Sequence, residues 1–282
     1  IDYLLRTAHH AGLPYGNVDL NYLLSQICLD DQNRICLTSK ALRTADHFLL
    51  CRYFDYAQIS FHKTVVGLEL VLRDLISLLL KKGYIHAAAQ DVSKSIQENE
   101  WQNFHDDFVI QKIQELYKTD KDPVVKKKAA TVLYRDPPKL IVEAEYLERR
   151  DKDKKQEFLT KKQLLDEHLD GLAQEFNIDR SCWYTWAKPG ITLTKAGSLL
   201  PVSAFADGDA DIDDIGQSIR ILDPGKTSSE EIISLPHSLM HVLSNFALYS
   251  LRLYVHLDGK NFDLRNRIET RVRQTLGNIG WK

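Results

Sequence analysis

Residues 49–80 read LLCRYFDYAQISFHKTVVGLELVLRDLISLLL, and this stretch decides the fold class. Leu49, Tyr53, Tyr56, Ile59 and Ser60 fall on one stripe, which Val65, Leu68, Leu72, Leu75, Ile76 and Leu79 continue. Apolar residues recurring every three or four positions specify a helix rather than a strand. The spacing predicts one long helix, or two nearly continuous ones, over 40–82, with Gly83 as the stop.

Toward the N-terminus, Ile1, Leu4, Leu5 and Ala8 keep helical spacing until Gly12 and the Pro14-Tyr15-Gly16 turn. Asp19 is placed to cap a short helix over 20–24, and Arg34 to Leu37 reads as a brief strand before Ser39 caps the next helix. Toward the C-terminus, helices are expected at 85–97, 105–117 and 122–133, and Asp136-Pro137-Pro138 breaks the chain. Residues 139–177 alternate charges of both signs, the pattern of a solvated helical face or loop.

Beyond Asp179 the pattern changes. Cys182 to Trp186, Ile191 to Thr194 and Ser218 to Leu222 are strand-like. The acidic stretch 207–214 lacks the glycine and glutamate spacing of a calcium loop and reads as a solvated connection. A helix from Leu239 to Tyr249 and a closing strand from Leu251 to Val255 complete the chain. The fold expected is mainly α: a helical body over 1–177, followed by a small α+β lobe over 178–282.

Bulk properties exclude several classes. The 282 residues are 44% hydrophobic and 27% charged with a net charge of −2, so no global positive field recruits nucleic acid, and anion binding must come from local basic residues. No apolar run approaches the length of a membrane span. Cys28, Cys36, Cys51 and Cys182 form no C-x-x-C pair, which points to a reduced, cytoplasmic protein. Met240 is the only methionine, so the sequence reads as part of a longer chain.

The histidines give no metal site. His237 and His241 have the spacing of one helix face but no carboxylate beside them; His9 and His10 diverge; His105-Asp106 lacks companion ligands and reads as a helix start. There is no G-x-S-x-G elbow and no phosphate-binding glycine loop. What remains is Arg52 and Tyr56, one helical turn apart: a planar cationic fork suited to phosphate beside a ring suited to a sugar or base. The alternative is that Arg52 pairs with Asp55 or Asp2 and the aromatics fill the core.

Asp2-Tyr3-Leu4-Leu5-Arg6 with His9, His10 and Gly12, then Tyr15-Gly16 and Asp19, Arg34-Ile35-Cys36, Arg52 and His62-Lys63, resemble in order the dNTP triphosphohydrolase (dGTPase-like) branch of the HD-domain phosphohydrolases. The likeness runs without a gap from Arg34 to Lys63, is thin between 85 and 200, and returns at Arg135, Pro138 and Lys139 and at Leu251 to Tyr254. It implies the C-terminal part of a helical HD-type domain, followed by the α+β lobe. The implied activity is metal-dependent hydrolysis of a nucleotide or related phosphoester by a homo-oligomer. The divalent metal (Mn, Mg, Co or Fe) would be held in the intact protein by an H…HD…D set whose last member lies upstream of Ile1, so no catalytic or metal ligand is expected here. Substrate contacts carried over by the resemblance are Tyr3, Arg52 and Tyr56. Lys40, His62 and Lys63 match a second nucleotide site. Thr7 stands where the family has an aspartate toward the sugar, and Tyr22 and Thr38 stand where it has arginines. The alternative expectation is a non-catalytic nucleotide-sensing or assembly module.

Overall fold

The computed structural model describes residues 2–85, 88–99, 105–192, 219–257, 259 and 261–281. The acidic stretch 207–214 and the strand expected at Leu193 and Thr194 lie outside them. The fold is mainly α with a small strand content, as expected. Two compact units interleave along the chain: 1–61, 145–160 and 187–250 form the first, and 62–144, 161–186 and 251–282 the second.

In the first unit, α1 (Asp2–Ala11) leads through a turn at Pro14–Gly16 to α2 (Leu20–Ser25), whose start is capped by the Asp19 carboxylate accepting from the Tyr22 N–H at 3.0 Å. β1 (Ile27–Leu29) and β2 (Ile35–Thr38) pair antiparallel, with Cys28 opposite Cys36. β5 (Arg220–Leu222) joins β2 in parallel and β6 (Glu230–Glu231) closes the order β1-β2-β5-β6. Over this sheet, α3 (Leu42–Asp55) buries Leu42, Ala45 and Leu49 against Ile221, Ile232, Leu235 and Met240. Each such aliphatic side chain contributes about 1.5–3 kcal/mol by leaving water.

A hydrogen-bond lattice pins the β1-β2 turn to the β5-β6 connection. The buried Asp30 carboxylate accepts from Arg34 Nε at 2.8 Å, from the Ser229 hydroxyl at 2.5 Å, and from the backbone N–H groups of Gln32 and Arg34. Arg34, singled out by the resemblance, is therefore committed to holding a turn.

In the second unit, α4 (Lys63–Lys81) packs Leu75 and Leu79 against Ile113 and Leu116 of α6 (Asp106–Thr119) and Val125 and Ala129 of α7 (Pro123–Tyr134). α5 (Ala89–Gln97) precedes α6. Asp122 caps α7, with Pro123 at its first position. A second sheet has the order β3-β7-β4, from β3 (Lys139–Arg149), β4 (Trp183–Thr192) and β7 (Phe246–Val255). α8 (Lys152–Glu175), α9 (Leu239–Leu243, in the first unit) and α10 (Phe262–Asn278) complete the described helices.

Several expectations are corrected, although the long periodic segment is the expected pair of nearly continuous helices, joined by a five-residue π-helical turn, Tyr56–Ser60. The wider turn breaks the 3.6-residue period, so the stripe slips beyond it. Val66, Leu70 and Val71 are buried, whereas Val65 is 47% exposed. The stretch 139–149 is a strand, because Ala144, Tyr146 and Glu148 alternate with more exposed neighbours. The helix expected to reach Tyr249 stops at Leu243, and Tyr249 belongs to a strand. His237 lies before that helix, so it shares no helix face with His241. α10 has no counterpart among the expected elements.

Candidate functional site

The first unit carries Tyr3, Arg52 and Tyr56. On α1, Tyr3, Thr7 and His10 recur at helical spacing and share a face. Together with Arg6 and Ile59 they line a depression of about 550 Å³. The helix is anchored from behind: Leu4 packs into a cluster with Val18, Leu23, Ala41 and Cys51. Gly16 sits so close to Ala8 that a side chain there would collide with the alanine methyl.

Tyr3, Arg52 and Tyr56 converge. Tyr3 is 43% exposed at the mouth of the depression. Burial pushes its hydroxyl pKa above the ordinary value; the facing Arg52 guanidinium opposes that rise, and neighbouring Tyr56 and Asp55 add to it. Arg52 lies in the last turn of α3 and Tyr56 opens the π-helical turn, its ring tilted against that of Phe61 with centroids 5.9 Å apart.

Arg52 is not spent on a structural ion pair. Asp2 pairs with Arg6 at 2.7 Å, and the buried Asp55 carboxylate accepts from the Tyr15 hydroxyl at 2.9 Å. Among the described residues Arg52 makes no salt bridge, and its Nε is buried without a hydrogen-bond partner. The alternative in which Arg52 pairs with Asp2 or Asp55 is therefore not the arrangement observed. Tyr15 is visible in the sequence as part of the Tyr15-Gly16 turn, but nothing there assigns it to Asp55. The apolar character of the residues around Asp55 is the only signal that its carboxylate needs a donor.

Of the second set, Lys40 belongs to the first unit and His62 and Lys63 to the second. Lys40 lies in a 3-10 turn of the first unit, with its carbonyl accepting from the Tyr22 hydroxyl at 3.2 Å. Thr38 donates to the Gln26 side chain. In the second unit His62 caps α4, its Nδ1 accepting from the Thr64 N–H at 3.3 Å, and Lys63 opens that helix in solvent. His105 precedes α6, and His241 Nδ1 bonds the Ile233 carbonyl oxygen at 2.7 Å. Among the described residues no three His, Cys, Asp or Glu side chains gather as a metal site. No described helix is long and apolar enough to cross a membrane.

Known proteins share this fold. A phosphohydrolase from Bacteroides thetaiotaomicron superposes with a TM-score of 0.55 at 17% identity, over 90% of this chain and 60% of its own. A hypothetical protein from Aquifex aeolicus gives 0.55 at 19%, over 98% and 56%. In sequence, the uncharacterized protein YwfO of Bacillus subtilis is 25% identical over 92 residues, 32% of this chain and 21% of YwfO. The chain thus spans little more than half of those solved structures and about a fifth of YwfO. No family model matches the sequence. The class defined is the fold that these two solved proteins share.

Proposed function

We propose that this chain supplies the nucleotide-binding part of an HD-type, metal-dependent phosphohydrolase acting on a nucleotide or related phosphoester. Arg52 carries the reading: a half-buried guanidinium with no carboxylate partner among the described residues, facing Tyr3 beside a 550 Å³ depression. A cation withdrawn from water needs a countercharge, and the planar guanidinium fork matches phosphate oxygens. Tyr3 and Tyr56 supply hydroxyls and ring faces for the sugar and base. The likeness in fold to a phosphohydrolase supports the same reading.

Among the described residues no three His, Cys, Asp or Glu side chains gather as a metal site, and the role proposed for Tyr3, Arg52 and Tyr56 is binding. Their part is to grip the phosphate chain, orient the sugar and exclude water around the scissile bond.

The test is turnover by the full-length protein with Mn²⁺, Mg²⁺ or Co²⁺ across a nucleotide panel, with phosphate and triphosphate release measured. Arg52→Ala should raise KM at least tenfold. A panel without turnover under any metal defeats the enzymatic reading. A second reading, nucleotide sensing without hydrolysis, draws on Thr7, which lines the depression where the resembled family carries an acid. Saturable nucleotide binding without turnover would select it.

A further inference from the structure

The second unit holds another depression of about 550 Å³, lined by Arg73, Asp74 and Ser77 on α4, by Arg180 in the turn before β4, and by Trp183 and Tyr184 at the start of that strand. An inventory of its polar groups shows a surplus of donors. The one carboxylate, Asp74, is bound by the Lys128 ammonium at 2.6 Å. Lys128 is itself buried, and it also donates to the Ser181 carbonyl oxygen at 2.9 Å and to the Tyr184 hydroxyl oxygen at 2.7 Å. Three acceptors saturate its three N–H bonds.

That arrangement has a consequence for Tyr184. Its oxygen accepts from Lys128, while its own hydrogen has no acceptor among the described residues. Beside it, Trp183 is 2% exposed and its Nε1–H is buried without a partner. Arg73 makes no ion pair among the described residues, and Arg180 is steered by the Trp183 carbonyl oxygen at 3.0 Å and Asp170 at 3.2 Å. A buried donor without an acceptor costs about 1–3 kcal/mol, and the free Tyr184 hydrogen beside the unpaired Arg73 and the Arg180 guanidinium suits an anion.

We infer that this depression binds a small phosphorylated ligand, held by Arg73 and Arg180 and by the Tyr184 hydroxyl. Two planar forks favour the oxygens of a phosphate group over a single carboxylate. The volume lies within the range of small-molecule sites. The site shares no residue with the Tyr3–Arg52–Tyr56 cleft and does not depend on it.

The experiment is calorimetric titration of the Arg52→Ala full-length protein, so that the other cleft is disabled. The probes are inorganic pyrophosphate, a free anion, and ribose 5-phosphate, an ester. Saturable binding of either, weakened at least tenfold by adding Arg73→Ala and unaltered by an exposed control such as Lys94→Ala, supports the site, and the better probe names the source. Melting temperatures within a degree of one another verify folding of the variants. No saturable binding, or binding indifferent to Arg73, overturns it.

Discussion

The Tyr15 hydroxyl donates to the buried Asp55 carboxylate over 2.9 Å, tying the turn after α1 to the last turn of α3. Removing the donor leaves a carboxylate in an apolar environment short of one bond. Tyr15→Phe should therefore lower stability by about 1–3 kcal/mol in chemical denaturation. Burial and this bond hold the tyrosine pKa well above its ordinary value of about 10. A raised folded pKa contributes stability that is complete below about pH 10 and disappears as pH climbs above it. The wild type should lose stability above pH 10 more steeply than Tyr15→Phe, and equal slopes would contradict the assignment.

Gly16 carries a second prediction. A methyl there collides with Ala8, so Gly16→Ala must displace α1. Overpacking of this kind costs about 1–3 kcal/mol. Because α1 carries Tyr3, nucleotide affinity should fall with stability. An unchanged melting temperature in the Gly16→Ala protein would show that the turn is not packed as described.

Asp30 supplies an acid-side counterpart. The bonds from Arg34 hold its carboxyl well below the usual carboxylate range, against the opposing effect of burial. A depressed folded pKa contributes stability present above about pH 4 and lost as pH falls below it. Asp30→Asn should lower the melting temperature by several degrees at pH 7 and flatten its fall between about pH 4 and 2. A mutant profile parallel to the wild type would remove Asp30 from that role.

Arg52→Lys is the sharpest probe of the proposed nucleotide cleft. The charge survives but the fork does not, and the loss of a charged hydrogen bond is worth about 1.5–3 kcal/mol. Nucleotide affinity should drop about tenfold or more by calorimetry. Retention of full affinity would mean that only the charge matters.

Sequence pattern reveals helices wherever one face stays apolar, as with Leu75 and Leu79, because periodicity directly reports burial. It fails where charge masks alternation, as in Glu143 and Glu145 of β3, and where a strand is buried on both faces, as in Tyr249 to Val255 of β7. α10 is legible in Leu264, Ile268, Val272 and Leu276 behind the Asn261 cap, but its high charge conceals that spacing. In the first unit's cleft, Tyr3 stands beside Arg52, a proximity that periodicity alone does not carry. The pairing of Tyr15 with Asp55 stays hidden, because sequence distance carries no record of which buried groups satisfy each other.

The parallel pairing of Leu37 with Ile221 sets a schedule for folding. β2 waits for a partner that leaves the ribosome far later, and closing so long a loop is slow. Until then, the exposed hairpin residues Ile27, Leu29 and Ile35 border a sheet lacking half its strands. Pulsed hydrogen exchange during refolding should show the amides of β2 gaining protection after those of α4 and α7. Truncation before residue 220 should yield an aggregation-prone product.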